Sequence, residues 1–299
     1  MRVAIIGGGA IGLLFSYYLK QEHSVVLYVR SHSQKMEIEA NGITVRNQEG
    51  LFHTYVQVKF ISEWEEDEAD LVIVCVKQYQ LESLLKDMEF IHGQPSLFIQ
   101  NGMAHLNIID RFKLNHVYVG SVEHGAYREN GHTVIHTGIG ETKLACYQGR
   151  NQKIVNELVQ TSNPSFRFCF VDDYKGMLQK KLVVNALINP LTALLNVENG
   201  MLIDNPHYYQ TFTEMFTEVS TILGLDDEQL YFEHARQICL NTAHNQSSML
   251  KDLEAGRETE IEAILGYLIA EAKRLQVEAP LITALFHLIK GKQLERGGK

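Results

Sequence analysis

The sequence is poor in cysteine, with four in 299 residues. Cys75, Cys146, Cys169 and Cys239 lie far apart, and none forms a C-x-x-C pair. Such spacing argues against both a zinc site and a disulfide framework. A reducing compartment fits this cysteine usage best, so we expect a cytoplasmic protein.

The chain also lacks an excess of positive charge and a long apolar run. Its net charge is -9, which makes nucleic acid or an anionic membrane a poor first guess as partner. No stretch approaches the roughly 20 apolar residues of a membrane span. The apolar run after Met1 is interrupted by the glycines of residues 7–12 and has no A-x-A-like cleavage site, so we expect no secretory signal.

What is present is an ordinary globular composition, 45% hydrophobic and 21% charged, in a chain long enough for two domains. In the first half, short apolar runs alternate with helical patterns, as in a doubly wound parallel sheet. The runs predict strands at residues 2–6, 24–29, 71–76, 96–100 and 117–122, a hairpin over residues 42–58 that turns at 47–50, and two more strands at 131–138 and 141–147. From about Asp172 the pattern is helical throughout. We predict an α/β domain over residues 1–170 and an all-helical domain over 171–299.

A glycine motif follows the first predicted strand. Gly7, Gly9 and Gly12 form G-x-G-x-x-G and open an apolar-periodic helix, so phosphates could bind the backbone N–H groups at the helix N-terminus. The motif alone is weak, but the strand before it, the helix after it and the second strand complete a Rossmann-type unit. The predicted dinucleotide-binding residues are Gly7, Gly8, Gly9, Ala10, Ile11 and Gly12. The alternative is a glycine-rich turn in an unrelated α/β protein.

The second predicted strand ends without an acidic residue. Where an NAD-binding unit usually places Asp or Glu for the ribose 2'-hydroxyl, this chain has Val29-Arg30-Ser31-His32. Arg30 could pair with a 2'-phosphate, which a carboxylate would repel. The cofactor predicted is therefore NADP(H), unless Arg30 is merely a solvated residue at the strand end. Lys77 and Asn101 follow two further strands and are cofactor-side candidates, although such residues are often only solvated or in turns.

A polar stripe runs along the apolar segment "KKLVVNALINPLTALLN", residues 180–196. Lys181, Asn185 and Asn189 recur at every fourth position, so they share one face of a helix. Three interpretations remain open: a stripe facing water, a buried hydrogen-bond network that specifies packing, or the wall of a cleft facing the nucleotide domain that binds a small polar ligand. Pro190 favours the last, because inside a helix it removes a backbone hydrogen bond and exposes carbonyls.

A second polar segment precedes two shorter predicted helices. Asn245, Ser247 and Ser248 come before a helix that stops at Gly256, and their structural interpretation is helix capping. Thr259 could form a capping box with Glu262 at the start of the next helix, whose apolar face would be Ile261, Ile264, Leu265 and Leu268. Glu260 would then be a first-turn acid favoured by the helix dipole.

Together these stretches resemble ketopantoate reductase. The resemblance covers essentially the whole chain and is carried by the glycine motif, "QNGM", "KLVVNALINPLTALLN", "ENG", "SSMLKD" and "TEIEAILG". It implies an NADPH-binding Rossmann domain, a helical substrate domain and reduction of ketopantoate to pantoate in pantothenate and coenzyme A synthesis. The family often has glycine where this chain has Ala104.

The resemblance also implies roles for individual positions. Lys181 matches the catalytic proton donor, and Glu260 matches a glutamate near the cofactor and the reacting group. Matching substrate-binding positions are Asn101, Asn185, Asn189, Asn199, Asn245, Gln246, Ser247 and Ser248. Positions on the cofactor side are Gly7 to Gly12, Arg30, Lys77, Asn101, Ala126 and Glu260.

Two alternatives to this function remain: a related NADP-dependent reductase of a different 2-keto acid, and a non-catalytic NADPH-binding sensor. His132 and His136 have the spacing H-x-x-x-H, but no third ligand lies nearby, so we predict no metal. The partner predicted is a small keto acid, assembly into a homodimer stays open, and neither nucleic acid nor membrane is expected as a partner.

Overall fold

A computed structural model of the chain describes residues 1–64, 69–87, 93–149, 152–161 and 163–297. The chain forms two compact units. The first combines Met1–Gln100 with Leu106–Met177, and the second combines Asn101–His105 with Leu178–Lys299. The first unit is α/β and the described part of the second is helical, which confirms the predicted fold class. The domain boundary at residue 170 stays a prediction.

The elements of the chain fall in the order expected for alternating strands and helices, followed by helices alone. The strands are β1 Arg2–Ile6, β2 Ser24–Val29, β3 Ile43–Asn47, β4 Gly50–Thr54, β5 Gln57–Phe60, β6 Leu71–Val74, β7 Ser96–Phe98, β8 Val117–Val122, β9 Gly125–Arg128, β10 Thr133–Gly138, β11 Glu141–Gln148 and β12 Arg167–Phe170. The helices are α1 Ala10–Leu19, α2 His32–Asn41, α3 Gln78–Asp87, α4 Ala104–Phe112, α5 Gln152–Gln160, α6 Tyr174–Leu195, α7 Met201–Asp204, α8 Pro206–Leu223, α9 Glu228–Asn241, α10 Ser248–Glu254, α11 Tyr267–Leu275 and α12 Pro280–Gly297.

The main sheet of the first unit has the order β12-β11-β8-β7-β6-β1-β2-β5. The six strands from β8 to β5 pair in parallel, and β1 lies at the point where the strand order reverses. Side chains of β1 alternate between two apolar clusters, with Val3 and Ile5 in one and Ala4 and Ile6 in the other. Both faces of the sheet are therefore covered, which explains the continuous apolar runs in these strands.

A four-stranded sheet of order β4-β3-β10-β9 completes the first unit. The predicted hairpin is confirmed, since β3 and β4 are antiparallel and turn between Asn47 and Gly50. The hairpin prediction wrongly extended to Gln57 and Val58: these residues begin β5, which pairs in parallel with β2 at the edge of the main sheet. The short strands β9 and β12 were also missed, because four residues with partly exposed side chains give no continuous apolar run.

In the second unit, helix α8 supplies much of the core. Phe212, Met215, Phe216, Val219 and Ile222 are buried along one face at helical spacing. The Asn205 side chain caps the N-terminus of α8, and Gly224 ends the helix in the left-handed conformation with φ 58°. No helix in the described ranges combines the length and apolarity needed to cross a bilayer.

Candidate functional site

The glycine-rich turn between β1 and α1 is tightly packed on one side and open on the other. Gly7 has φ +112°, and a Cβ on Gly12 would lie 1.8 Å from the Gly7 carbonyl oxygen, so any side chain at residue 12 would force the turn apart. A Cβ on Gly9, which precedes α1, would meet no other atom within 4 Å. The turn therefore leaves open space beside Gly9 at the start of α1, the position at which Rossmann-type units bind a pyrophosphate.

The outer side of this turn is held by polar side chains. The Gly8 carbonyl oxygen accepts hydrogen bonds from Gln34 Nε2 at 2.6 Å and from Arg128 Nη1 at 3.0 Å. Arg30 is exposed directly after β2, and Ser31 caps α2 by accepting from the Gln34 backbone N–H. Arg128 and Gln34 were missed from the sequence, since nothing in their local pattern indicates the contact with Gly8. Of the other cofactor-side candidates, Lys77 lies beyond the end of β6 and Ala126 lies in β9; both are half-buried.

The polar stripe predicted on the segment 180–196 lies on α6, which continues through Pro190 without interruption. Lys181 and Asn185 are half-buried, and Asn189 is only 8% exposed. A wholly water-facing stripe would leave all three exposed. The expectation that this face lines a cleft stays a prediction.

Three predicted site residues are joined by hydrogen bonds within the helical unit. Asn101 Nδ2 donates to Glu260 Oε2 at 2.7 Å, and Asn185 Nδ2 donates to Asn101 Oδ1 at 3.4 Å. The carboxylate can only accept, so it fixes which end of the Asn101 amide faces Glu260 and which faces Asn185. Residues far apart in sequence are thus ordered into one directional chain, which ends beside the helix face that carries Lys181.

A close backbone contact supports Asn101. Gly102 has φ +77°, and a Cβ on it would lie 2.0 Å from the Ala263 carbonyl oxygen. Ala263 lies in a π-helical turn, Glu262–Gly266, that leads into α11. Such turns are rare and often occur at functional sites. The predicted apolar face of this helix is confirmed, because Ile261, Ile264, Leu265 and Leu268 are all buried.

The predicted capping box at Thr259 and Glu262 is wrong. Thr259 Oγ1 accepts from the Ile261 backbone N–H and donates to Gln293 Oε1, whereas Glu262 pairs with Lys290 at 3.0 Å. The π-helical turn and the contacts with α12 replace the local capping that the sequence pattern favoured.

The loop before α10 is anchored at both ends. The Asn199 N–H donates to the Asn245 carbonyl at 3.0 Å, and Asn199 Nδ2 donates to Thr242 Oγ1 at 2.9 Å. Ser247 is buried, caps α10 and forms a 2.7 Å hydrogen bond with Thr192 of α6. Asn245, Gln246 and Ser248 are exposed. The anchored backbone therefore holds these three side chains at the surface of the helical unit.

Thr192 and Thr242 are anchoring residues that were missed from the sequence. Thr192 stands one helical turn after Asn189 and also donates to the Ile188 carbonyl, so by itself it resembles an ordinary threonine inside a helix. Its link to Ser247 depends on tertiary packing alone.

His105 is an isolated buried histidine in the segment that carries Asn101. It is 0% exposed, and neither ring nitrogen has a hydrogen-bond partner in the described part of the chain. Burial lowers the pKa of His105 to about 4. The ring is therefore neutral in the folded protein near neutrality.

We expect His105 to make stability pH-dependent. The unfolded ring titrates near 6.5, so between about pH 6.5 and pH 4 the unfolded chain binds the extra proton and stability falls as the pH falls. At pH 5 the loss from this group is roughly 2 kcal/mol relative to pH 7.5. Urea unfolding should show that His105→Phe reduces the difference in the free energy of unfolding between pH 5 and pH 7.5. Substitution of the exposed His207 by Gln should leave that difference unchanged. An equal pH dependence in His105→Phe and the parent would contradict this origin.

The two histidines considered as metal ligands are bound to different partners. His136 Nδ1 lies 3.1 Å from the Tyr18 hydroxyl and its Nε2 lies 3.2 Å from His124 Nδ1. His132 Nδ1 lies 3.7 Å from Glu37. Across the described residues, no group of three or more His, Cys, Asp or Glu side chains is placed to hold a metal ion.

The parallel sheet and its glycine-rich turn define a Rossmann-type nucleotide-binding protein with a separate helical unit that holds an ordered amide and carboxylate cluster. The family model "Ketopantoate reductase PanE/ApbA" matches residues 3–149, and "Ketopantoate reductase PanE/ApbA C terminal" matches residues 173–293. The chain belongs to the ketopantoate reductase PanE/ApbA family.

Individual relatives agree over the full length. The 2-dehydropantoate 2-reductase of Bacillus subtilis (strain 168) is 38% identical over 299 residues, covering 99% of this chain and 98% of the relative. A crystal structure described as "Probable 2-dehydropantoate 2-reductase panE from Bacillus Subtilis" is 37% identical with a TM-score of 0.89, covering 98% of this chain and 100% of that one. D-mandelate dehydrogenase, solved with NADH and anilino(oxo)acetate, shares the fold with a TM-score of 0.91 at 24% identity and 99% coverage of both chains.

Proposed function

We propose that this chain catalyses the NADPH-dependent reduction of 2-dehydropantoate to (R)-pantoate, a step of pantothenate and coenzyme A synthesis. The observation that carries the proposal is the hydrogen-bonded series Asn185, Asn101 and Glu260, beside the α6 face of Lys181. It occurs in a chain whose full length matches 2-dehydropantoate 2-reductases.

The cofactor proposed is NADP(H), held by the glycine-rich turn. The open space at Gly9 and the close contact of Gly12 with Gly7 fit a dinucleotide whose pyrophosphate lies against the start of α1. When bound, the reduced nicotinamide supplies the hydride. Arg30 supports NADP(H) over NAD(H), because an arginine and a hydroxyl stand where a carboxylate would repel the 2'-phosphate. Lys77, Ala126, Asn101 and Glu260 complete the proposed cofactor side.

Lys181 is the proposed proton donor. Hydride addition to a ketone builds negative charge on its oxygen, and an ammonium group stabilises that charge and then transfers a proton from Nζ to the oxygen. A lysine near neutral pH carries the proton that this role requires. Glu260 is 8% exposed and accepts a hydrogen bond from Asn101, which holds its carboxylate in one orientation. The carboxylate lies in the same helical unit as Lys181.

The proposed substrate contacts are neutral amides and hydroxyls. Asn101, Asn185 and Asn189 can bind carboxylate and hydroxyl groups without placing a further formal charge near the reacting carbonyl. The anchored loop adds Asn245, Gln246, Ser247 and Ser248, with Asn199 joining the loop to the residues after α6. Ser247 caps the N-terminus of α10, so it fixes the position of the next residue, Ser248. In the proposal, Ser247 also contacts the substrate.

Turnover across a panel of keto acids tests the function. NADPH oxidation should be measured with ketopantoate, pyruvate and 2-ketoisovalerate, which lacks the hydroxymethyl group of ketopantoate, and repeated with NADH. We expect kcat/KM for ketopantoate to exceed that for the other acids by roughly a hundredfold or more, because buried polar groups discriminate against analogues that leave them unpaired. A higher kcat/KM for another acid would favour the alternative of a related reductase. Absence of turnover with every acid, despite NADPH binding, would favour a sensor.

A homodimer and a cytoplasmic location also belong to the proposal. The exposed apolar side chains of Leu230, Leu240, Leu288 and Leu294 in the helical unit support self-association, and the cysteine usage supports a reducing compartment.

A further inference from the structure

Arg128 is held against the glycine-rich turn by a specific contact. Its Nη1 donates to the Gly8 carbonyl oxygen at 3.0 Å. The same oxygen accepts from Gln34 Nε2 at 2.6 Å, and Gln34 Nε2 also donates to the Gly131 carbonyl at 2.9 Å. Two side chains from different elements, α2 and β9, thus converge on one carbonyl of the turn. The guanidinium group is fixed at the edge of the proposed cofactor site.

The charge of Arg128 is not neutralised by a carboxylate in the described ranges, and neither is that of Arg30. Neighbouring cations are neutralised: Arg46 pairs with Glu129 at 2.8 Å, and Lys35 pairs with Glu63 at 3.3 Å. A guanidinium carries five N–H donors, of which the Gly8 carbonyl engages one. The remaining donors form a planar array suited to phosphate oxygens.

Hydrogen bonds link both Arg128 and the residue after Arg30 to the Gly8 end of the turn. Gln34 contacts Gly8 through its side chain, and its backbone N–H donates to Ser31 Oγ, directly after Arg30. Arg128 and the segment after β2 are therefore both tied to the Gly8 carbonyl through direct or Gln34-mediated contacts. A dinucleotide places its adenosine ribose at the end of the second strand. A bound 2'-phosphate adds up to two negative charges at this position.

We propose that Arg128 is a second specificity-determining cation, which binds the cofactor 2'-phosphate together with Arg30. The glycine-rich turn orients Arg128 through the Gly8 carbonyl, and the two guanidinium groups select NADP(H) over NAD(H). This inference rests on the proposed dinucleotide cofactor, although its test does not require a keto acid.

Calorimetric titration of the purified protein with NADP+ and NAD+ tests the assignment. Arg128→Ala should raise the Kd for NADP+ by roughly 10- to 100-fold and the Kd for NAD+ by less than threefold, because only NADP+ loses a charge-assisted phosphate contact. Arg30→Ala should have the same effects. The Kd for NADP+ of the double variant should rise by less than the product of the two single fold-changes, since both residues bind one phosphate group.

Three variants separate phosphate binding from support of the turn. Arg128→Gln can still donate to Gly8 but carries no charge, so it should lose NADP+ affinity as Arg128→Ala does. Arg128→Lys keeps the charge and should lose less. Arg46→Ala removes the cation that pairs with Glu129 and should leave the Kd for NADP+ within twofold.

Two results would overturn the proposal: an equal loss of NADP+ and NAD+ affinity in Arg128→Ala, or wild-type NADP+ affinity in Arg128→Gln. Both report on binding without substrate. If the protein reduced no keto acid but Arg128 still distinguished NADP+ from NAD+, the proposed reaction would be contradicted and the role of Arg128 would stand.

Discussion

Replacement of Lys181 by Ala is expected to lower kcat with NADPH and ketopantoate by roughly 10²- to 10⁴-fold, the usual contribution of a positioned general acid. The residue is half-buried on α6, in line with Asn185 and Asn189. Without its ammonium group, charge that develops on the keto oxygen would be stabilised only by neutral groups. The Kd for NADP+ should change little, so the effect should appear in single-turnover measurements as a slower reduction step.

The adjacent lysine provides a matched control. Lys180 is exposed on the same helix one position earlier, so Lys180→Ala removes the same charge from a different helix face and should retain full kcat. Lys181→Arg keeps a cation but donates protons poorly, so it should remain slow. Near-normal turnover of folded Lys181→Ala would eliminate the proton-donor assignment, whichever acid proves to be the substrate.

Gly102→Ala is expected to lower kcat/KM by about a hundredfold without removing any proposed catalytic group, which is the order of loss caused by displacing a bound group by about 1 Å. The added Cβ would lie 2.0 Å from the Ala263 carbonyl oxygen at φ +77°, so the backbone of residues 101–105 must move away from the π-helical turn. The 2.7 Å bond between Asn101 and Glu260 would then lengthen or break. The strain should also lower the free energy of unfolding by about 2–4 kcal/mol.

Two controls identify the cause of that loss. Gly291→Ala, on α12 with no atom within 4 Å of the added Cβ, should stabilise the protein by about 0.5–1 kcal/mol and leave kcat/KM unchanged. Combining Gly102→Ala with Ala263→Gly should not restore activity, because the contact involves the backbone oxygen rather than the Ala263 side chain. Full activity of Gly102→Ala would show that the position of Asn101 does not limit the reaction.

Local patterns in the sequence predicted those parts of the protein that local forces determine. The glycine-rich turn follows from steric limits at Gly7 and Gly12, and the α6 stripe follows from the helical period of Lys181, Asn185 and Asn189. The β5 residues were assigned in part to the neighbouring hairpin because their actual pairing, with the more distant strand β2, leaves no local pattern in the sequence. The capping-box error at Thr259 has the same origin, since contacts with α12 outweigh the local preference.

Long-range polar contacts could not be predicted from spacing. Asn101 and Glu260 are separated by 159 residues, and Gly8 and Arg128 by 120. Each pair forms because packing brings two backbone segments together, and no periodicity in the chain encodes it. The family resemblance identified Asn101 and Glu260 as site positions but gave no indication that they bind each other, and it did not single out Arg128 at all.

The π-helical turn at Glu262–Gly266 determines the direction in which Glu260 points around the helix axis, relative to the residues of α11 that follow. An α-helix advances about 100° per residue, so the wider turn offsets everything before it from the face along which Leu268 and Ala272 pack. A regular helix carrying the same apolar face would point residue 260 in another direction. The π-helical turn contains about one residue more than an α-helical turn and so rotates the residues before it about the helix axis. The direction of the Glu260 carboxylate and the packing of α11 can therefore change independently.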